Sequence, residues 1–307
     1  MAILRNAALF LLLVLAAVVP SLAASPELLV EAPPSFEPEA RRLRELDPER
    51  LASAARLVGL EEPGPPIRVI LAPEGSEPAR IAPPWVSGYA WSERGIVVLL
   101  PQRVPTYPDS SLEDLLGHEV AHVLVARAAG GRPMPRWFHE GVAMIAGLTW
   151  GLDDRTRLTY SLVMDQEIPL AGLNDLFAGG RGAAHRAYAV SGAFVRDLLD
   201  RHGQDSVGRI LDGVAAGLPF EEAFRRATGV TLAVAESSFW RRQSFWYRWV
   251  PLLTSSVTLW LGITLLALYA IKRRRERDAA LRRIWDEEEE RLRLAREAAA
   301  DGGETVH

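Results

Sequence analysis

His118-Glu119-Val120-Ala121-His122 lies within residues 112 to about 129, a stretch that opens on Ser110-Ser111 with Glu113 and Asp114 three residues further on. That is a capping-box start for a helix, and Gly130-Gly131 supplies its stop. Two histidines four apart on a helix share one face about a turn apart, so both imidazoles can reach one ion. Glu119 is rotated from His118 by roughly 100° about the axis, which sets its carboxylate beside a metal-bound water rather than on the metal. Zinc suits imidazole and carboxylate donors, leaves one position open when catalytic, and lowers the pKa of its water to about 7. A carboxylate placed like Glu119 then takes the proton as general base.

The next helix is expected from near Pro135 to Gly147 and opens with Trp137-Phe138-His139-Glu140-Gly141-Val142-Ala143. Glu140 follows His122 by 18 positions, and a helix, a tight Gly-Pro loop and a second helix can bring its carboxylate back to the ion. HExxH followed by W-x-x-E-G-x-A resembles the gluzincin zinc metallopeptidases, in particular the peptidase MA-like branch. Tyr188-Ala189-Val190-Ser191-Gly192-Ala193-Phe194-Val195-Arg196 is similar to a further helix of that family, and residues 96–100 fall where it has a strand beside the cleft. The resemblance covers about residues 65–242. It implies a zincin-like α+β domain, Zn2+ as cofactor, a protein or peptide as substrate, and Glu140 as third ligand beside His118 and His122.

A metzincin would continue to a glycine and a third histidine, but those positions hold Val125 and Ala128. Zinc aminopeptidases carry a G-A-M-E-N stretch that grips the substrate amine, and the nearest candidate, Gly88-Tyr89-Ala90-Trp91, lacks the acid. An endopeptidase is therefore expected.

His139 departs from the family, which has a small or polar residue there. Adjacent helical residues point about 100° apart, so His139 and Glu140 do not both ligate easily, and His139 is read as lining the cleft or orienting a ligand. Tyr188 is the candidate for stabilising the oxyanion, with His185 as substitute; its ring could equally belong to the core. Asp175 and Glu167 could orient a zinc histidine, though a solvated carboxylate is the plainer reading of each. Gly141 is read as a close-packing position and Gly147 as a helix stop, and His202 and His307 as surface residues.

Upstream, residues 25–38 read as a linker, and Asp47-Pro48 as an N-cap followed by proline at the first helical position of a helix ending at Gly59. After Pro63-Gly64-Pro65-Pro66 come a strand over 67–71 and another over 95–100, with a third candidate among residues 85–91. Further helices follow, with three short ones over 206–242. Strands first and helices after argue an α+β domain: a small β-sheet, then an active-site helix and a helical C-terminal half.

The chain of 307 residues is 49% hydrophobic and 24% charged, with net charge −4, so nothing global suggests nucleic acid. It has no cysteine, which removes disulfides, thiolate ligands and cysteine nucleophiles together.

Two apolar segments bear on compartment. Residues 7–19 follow Arg5 and precede Ser21-Leu22-Ala23-Ala24, the pattern of a signal peptide over residues 1–24. Residues 250–271 carry no charge and as a helix would reach roughly 30 Å, the hydrocarbon thickness of a bilayer. Trp240, Phe245, Trp246, Tyr247 and Trp249 precede them and Lys272-Arg273-Arg274-Arg275 follows, which by the positive-inside bias puts the tail in the cytoplasm. The expected organisation is a signal peptide, a linker with helical segment (25–64), a peptidase domain (65–248), a C-terminal transmembrane helix (249–271) in membrane lipid and a charged cytoplasmic tail (272–307). The competing reading is a catalytically silent scaffold of the same fold at the membrane; Glu119 speaks against it, because a structural zinc site is normally closed by a fourth protein ligand.

Overall fold

The computed structural model of the chain describes residues 24–105, 109–147, 168–254 and 256–301. Residues 1–23 of the expected signal peptide, Glu167 and His307 lie outside the described residues. The sequence divides into two compact units, residues 1–244 and 245–307.

The first unit is α+β. Strand β1 (Leu28–Glu31) is followed by helices α1 (Glu37–Arg44) and α2 (Pro48–Leu57), then β2 (Ile67–Leu71), the short α3 (Glu77–Ile81), β3 (Gly88–Trp91) and β4 (Ile96–Leu99). The strands form one mixed sheet in the order β1-β2-β4-β3. β1 and β4 run parallel to β2, while β3 runs antiparallel to β4 and forms an edge. On β2, Ile67, Val69 and Leu71 are buried and Arg68 is exposed, the alternation of a strand with one covered face.

β1 corrects the sequence reading, which made residues 25–38 a linker. Leu28-Leu29-Val30 is too short an apolar run among Pro and Glu to show a period. Its hydrogen-bonding partner is distant in sequence, with Leu28 opposite Ile67 and Glu31 opposite Ile70. The helices between β1 and β2 also belong to the body. The Asp47 carboxylate accepts the Glu49 N–H at 3.0 Å as an N-cap, a contribution of about 1 kcal/mol. Arg50 of α2 donates to the Asp114 carboxylate and, at 3.2 Å, to the Gly147 carbonyl.

The rest of the unit is helical: α4 (Leu112–Ala128), α5 (Arg136–Ala146), α6 (Leu173–Ala178), α7 (Arg181–His202), α8 (Ser206–Ala215), α9 (Phe220–Thr228) and α10 (Leu232–Thr254), which runs past residue 244. α4 starts where the capping signal puts it, with Ser111 Oγ accepting the Asp114 N–H at 3.0 Å. It packs against β3, β4, α2 and α5, so it is covered on nearly every side, and Val120, Ala121, Val123, Leu124 and Val125 are wholly buried. A helix covered all round shows no single apolar stripe.

α5 packs between α4 and α7. Glycine makes both contacts possible. A Cβ on Gly141 would lie 2.5 Å from the Ser191 carbonyl of α7, and one on Gly147 would lie 3.1 Å from the backbone nitrogen of His118. Gly147 ends α5 as expected, and its lack of a side chain also lets the helix end reach the turn that bears His118.

In the second unit α11 (Ser256–Asp301) follows α10. Among the described residues no helix is long and apolar enough to cross a membrane. Of the expected span over 249–271, residues 249–254 belong to α10, residue 255 lies outside the described residues, and residues 256–271 belong to α11. Trp260, Leu261, Leu265, Leu266, Leu268 and Tyr269 are all exposed on that part of α11.

Candidate metal centre

His118 and His122 leave adjacent turns of α4 toward α5, and Glu140 leaves α5 toward them. His118 Nε2 and His122 Nε2 are 3.2 Å apart, and Glu140 Oε2 stands 3.4 Å from His122 Nε2 and 3.7 Å from His118 Nε2. His118 and Glu140 are buried, and His122 is nearly so. These three are the one His/Cys/Asp/Glu group among the described residues whose donor atoms converge as a metal would require.

The triangle can be tested against a metal. Tetrahedral zinc bonds of about 2.0–2.1 Å to nitrogen and oxygen space their donors about 3.4 Å apart. The observed edges of 3.2, 3.4 and 3.7 Å bracket that value. Glu140 Oε2 is also a buried oxygen with no hydrogen-bond partner, a costly arrangement unless something else satisfies it. Two imidazoles and a carboxylate without sulfur suit a divalent ion of zinc type. The residues fit the metal.

Each donor has support behind it. The Glu140 carboxylate uses its other oxygen, Oε1, to accept from Arg136 Nε at 3.3 Å, and the Arg136 guanidinium lies 4.4 Å from the centre of the Phe177 ring. His122 Nδ1 meets His139 Nδ1 at 2.6 Å. Behind His118, the Asp109 carboxylate lies 3.9 Å from Nδ1, buried like the histidine itself. Asp109 precedes the N-cap of α4 and sequence reasoning missed it: a loop residue has no period from which its direction can be read. Asp175, weighed for this task, is exposed on α6.

Glu119, buried, lies with His118 on the wall of a cleft of about 410 Å³, together with Gly88 of the edge strand, Arg136, Phe177 and Tyr188. Gly88 leaves the room Glu119 occupies, since a Cβ there would lie 3.2 Å from Glu119 Oε1 and 3.0 Å from Leu115 Cδ1. Tyr188 of α7 packs edge-on against His118, with centroids 6.4 Å apart, and against Phe177 at 5.2 Å. It is at once a packed ring and a cleft-lining phenol, so the two readings of it meet. His185, one turn earlier, lines the same cleft, whereas His202 sits at the end of α7.

The ionisation of these groups in the metal-free protein follows from burial and crowding. Burial would lower the His118 imidazole, but Asp109, Glu140 and Glu119 outweigh it and raise it to about 9. Burial pushes the Glu119 carboxyl up to about 8, against the pull of His118 and with the help of Asp109 and Glu140. Burial would likewise raise Glu140, but the two facing imidazoles hold it well below the usual carboxylate range. Burial and then His122 push His139 down to about 3, so it is a neutral imidazole. Burial, reinforced by Glu140, holds the Tyr188 phenol well above its ordinary value and therefore protonated. Such crowding of perturbed groups in a cleft is the mark of a reactive site.

A family model described as Peptidase MA superfamily matches residues 79–245, more than half of the chain. Neither the curated proteins nor the solved structures yield a match. With the matched region spanning the sheet edge, both metal-facing helices and α7, and with the buried His118, His122 and Glu140 triad of a gluzincin zinc site inside it, the chain belongs to the Peptidase MA superfamily.

Proposed function

We propose that this chain is a zinc-dependent endopeptidase, with His118, His122 and Glu140 holding the ion and Glu119 as general base. The observation that carries the proposal is the convergence of three donor atoms 3.2–3.7 Å apart beside a buried carboxylate that opens on the cleft. When bound, zinc supplies an acidified water and an electrophile for the scissile carbonyl.

The chain's own residues supply the rest. Glu119 accepts the proton of the attacking water and passes it to the departing amine. Tyr188 keeps its proton and donates its O–H to the oxygen on which charge develops. Arg136 holds Oε1 of Glu140, leaving Oε2 for the ion. The edge strand β3 offers backbone groups to an extended peptide, and Gly88-Tyr89-Ala90-Trp91 carries no carboxylate to grip a free N-terminal amine. That favours internal bonds of a protein or peptide.

The reading includes a tether: a domain outside the cytoplasm, held by residues 249–271 in membrane lipid, with the tail after Lys272 inside. The uncharged run and the basic cluster that follows it support this, as does the exposure of Trp260, Leu265, Leu266 and Leu268. Fractionation of cells expressing the full chain, with protease added from outside, tests it. A full-length chain in the soluble fraction would remove the tether.

The chemistry is tested by measuring zinc in the full-length protein and comparing Glu119→Gln with wild type on unfolded protein substrates. Zinc near one per chain in both, with cleavage in wild type alone, is the expected result. Cleavage that survives the substitution would remove Glu119 as base, and bound zinc without cleavage of any substrate would turn the site into a scaffold.

A further inference from the structure

The contact between His122 and His139 is a directed hydrogen bond rather than ring stacking. The two rings are nearly parallel, 8° apart, with centroids separated by 4.7 Å. Their facing Nδ1 atoms are only 2.6 Å apart, which is possible when the rings meet edge to edge in one plane. One of the two nitrogens must donate and the other accept.

The metal decides which. To bind an ion through the Nε2 that faces His118 and Glu140, His122 must keep its proton on Nδ1, so Nδ1–H donates and His139 Nδ1 accepts. We propose that His139 is a positioning residue of the metal centre: it fixes the tautomer and ring plane of His122 by accepting its Nδ1–H. This rests on the metal reading above and deepens it.

The chemistry of the surroundings explains why an imidazole fits here. A ligating histidine commonly donates to a carboxylate, a backbone carbonyl or water. The Glu140 carboxylate already faces the other side of His122, with Oε2 3.4 Å from Nε2. An imidazole acceptor orients the ligand as a carboxylate, carbonyl or water would, from a ring whose plane lies within 8° of that of His122. The position on α5 is equally specific. Arg136, His139 and Glu140 occupy the first turn and a half of the helix, so one short segment delivers a ligand, the clamp on its second oxygen and the partner of another ligand.

The test uses the full-length protein and its affinity for zinc, read by competition with a chelator. His139→Phe keeps a ring of similar size without an acceptor, and His139→Gln restores an acceptor at similar reach. Zinc affinity is expected to fall about 10- to 100-fold in His139→Phe and to recover most of the way in His139→Gln, while the metal-free proteins melt alike. Equal affinity in wild type and His139→Phe, or equal loss in both variants, would overturn the proposal. If His139→Phe does not fold, the 15N spectrum of zinc-loaded wild type decides: a proton on His122 Nδ1 bonded to His139 supports the role, and any other partner for that proton refutes it. Failure of wild type itself to bind zinc would sink the metal reading instead, so the two failures are told apart.

Discussion

α4 and α5 both face the metal centre, but they are supported in opposite ways. α4 brings three of the chemical groups, His118, Glu119 and His122, and takes its support from elsewhere: Asp109 in the preceding loop, Gly88 on the edge strand and His139 on α5. α5 brings one donor, Glu140, holds it from within the same helix through Arg136, and sends His139 across to His122 of α4. α4 is fixed by burial on nearly all sides, whereas α5 is fixed by its buried side chains together with close approaches at Gly141 to α7 and at Gly147 to α4. The contrast teaches that the zinc-binding motif is only as good as the placement of the second helix, because that helix carries both a ligand and the partners that orient two ligands.

Breaking the second helix's donor should have the largest effect. Glu140→Ala is expected to weaken zinc binding by more than about 100-fold, since loss of a mere partner behind a ligand already costs about 10- to 100-fold. Glu119→Gln, in contrast, should leave zinc in place and lower the turnover number by about 100- to 10,000-fold, the usual worth of a general base. Chelator competition and kinetics on one unfolded protein separate the two. Equal zinc affinity in Glu140→Ala and wild type would undo the comparison.

Gly141→Ala tests how α5 is held. Its Cβ would sit 2.5 Å from the Ser191 carbonyl and 2.7 Å from Val195 Cγ2, where backbone cannot give way cheaply. A loss of about 3 kcal/mol of stability is expected, seen as an earlier thermal or denaturant midpoint. An unchanged midpoint would show that α5 and α7 are less tightly fitted than they stand here.

The pH dependence follows from the same crowding. In the metal-free protein His118 is raised to about 9 from 6.5, so its stabilisation is fully present below its unfolded value and lost as pH rises through 9. Glu119 is raised to about 8 from 4.5, so the folded protein keeps a proton that the unfolded chain releases, and that stabilisation too is lost as pH rises through 8. The metal-free protein should therefore melt earlier as pH climbs from 6.5 to 9. Zinc binding displaces the His118 proton, so affinity should rise over the same span. An affinity independent of pH there would contradict the proposed ligand set.

The smallest effect sharpens the α4 side. Gly88→Ala puts a methyl group 3.2 Å from Glu119 Oε1 and should lower turnover by about tenfold with zinc content unchanged, because a shifted base loses its alignment. Activity equal to wild type would mean that Glu119 has more freedom than its burial indicates.

Much of this centre is legible in the amino-acid sequence, for physical reasons that differ by residue. His118 and His122 can be placed on one face because a helix has a fixed period. Glu140 could be brought to them because the loop between the helices is too short for many alternatives. The bounds of α4 and α5 follow from Ser111, Gly130-Gly131, Pro135 and Gly147. Asp109 escaped because loop side chains have no period, and β1 escaped because its pairing partner lies at Ile67–Ile70. The role of Gly88 depends on a distance between a strand and a helix that no local pattern encodes. The apolar run over 250–271 shows the reverse case: composition marked it strongly, while among the described residues no helix is long and apolar enough to cross a membrane.

Anomalous diffraction at the zinc edge, from crystals of the protein purified with zinc, tests the central claim most directly. One peak per chain is expected, with His118 Nε2, His122 Nε2 and Glu140 Oε2 about 2.0–2.2 Å from it. A peak bound elsewhere, or a zinc-loaded structure in which the Glu140 carboxylate points away from the two imidazoles, would contradict the account.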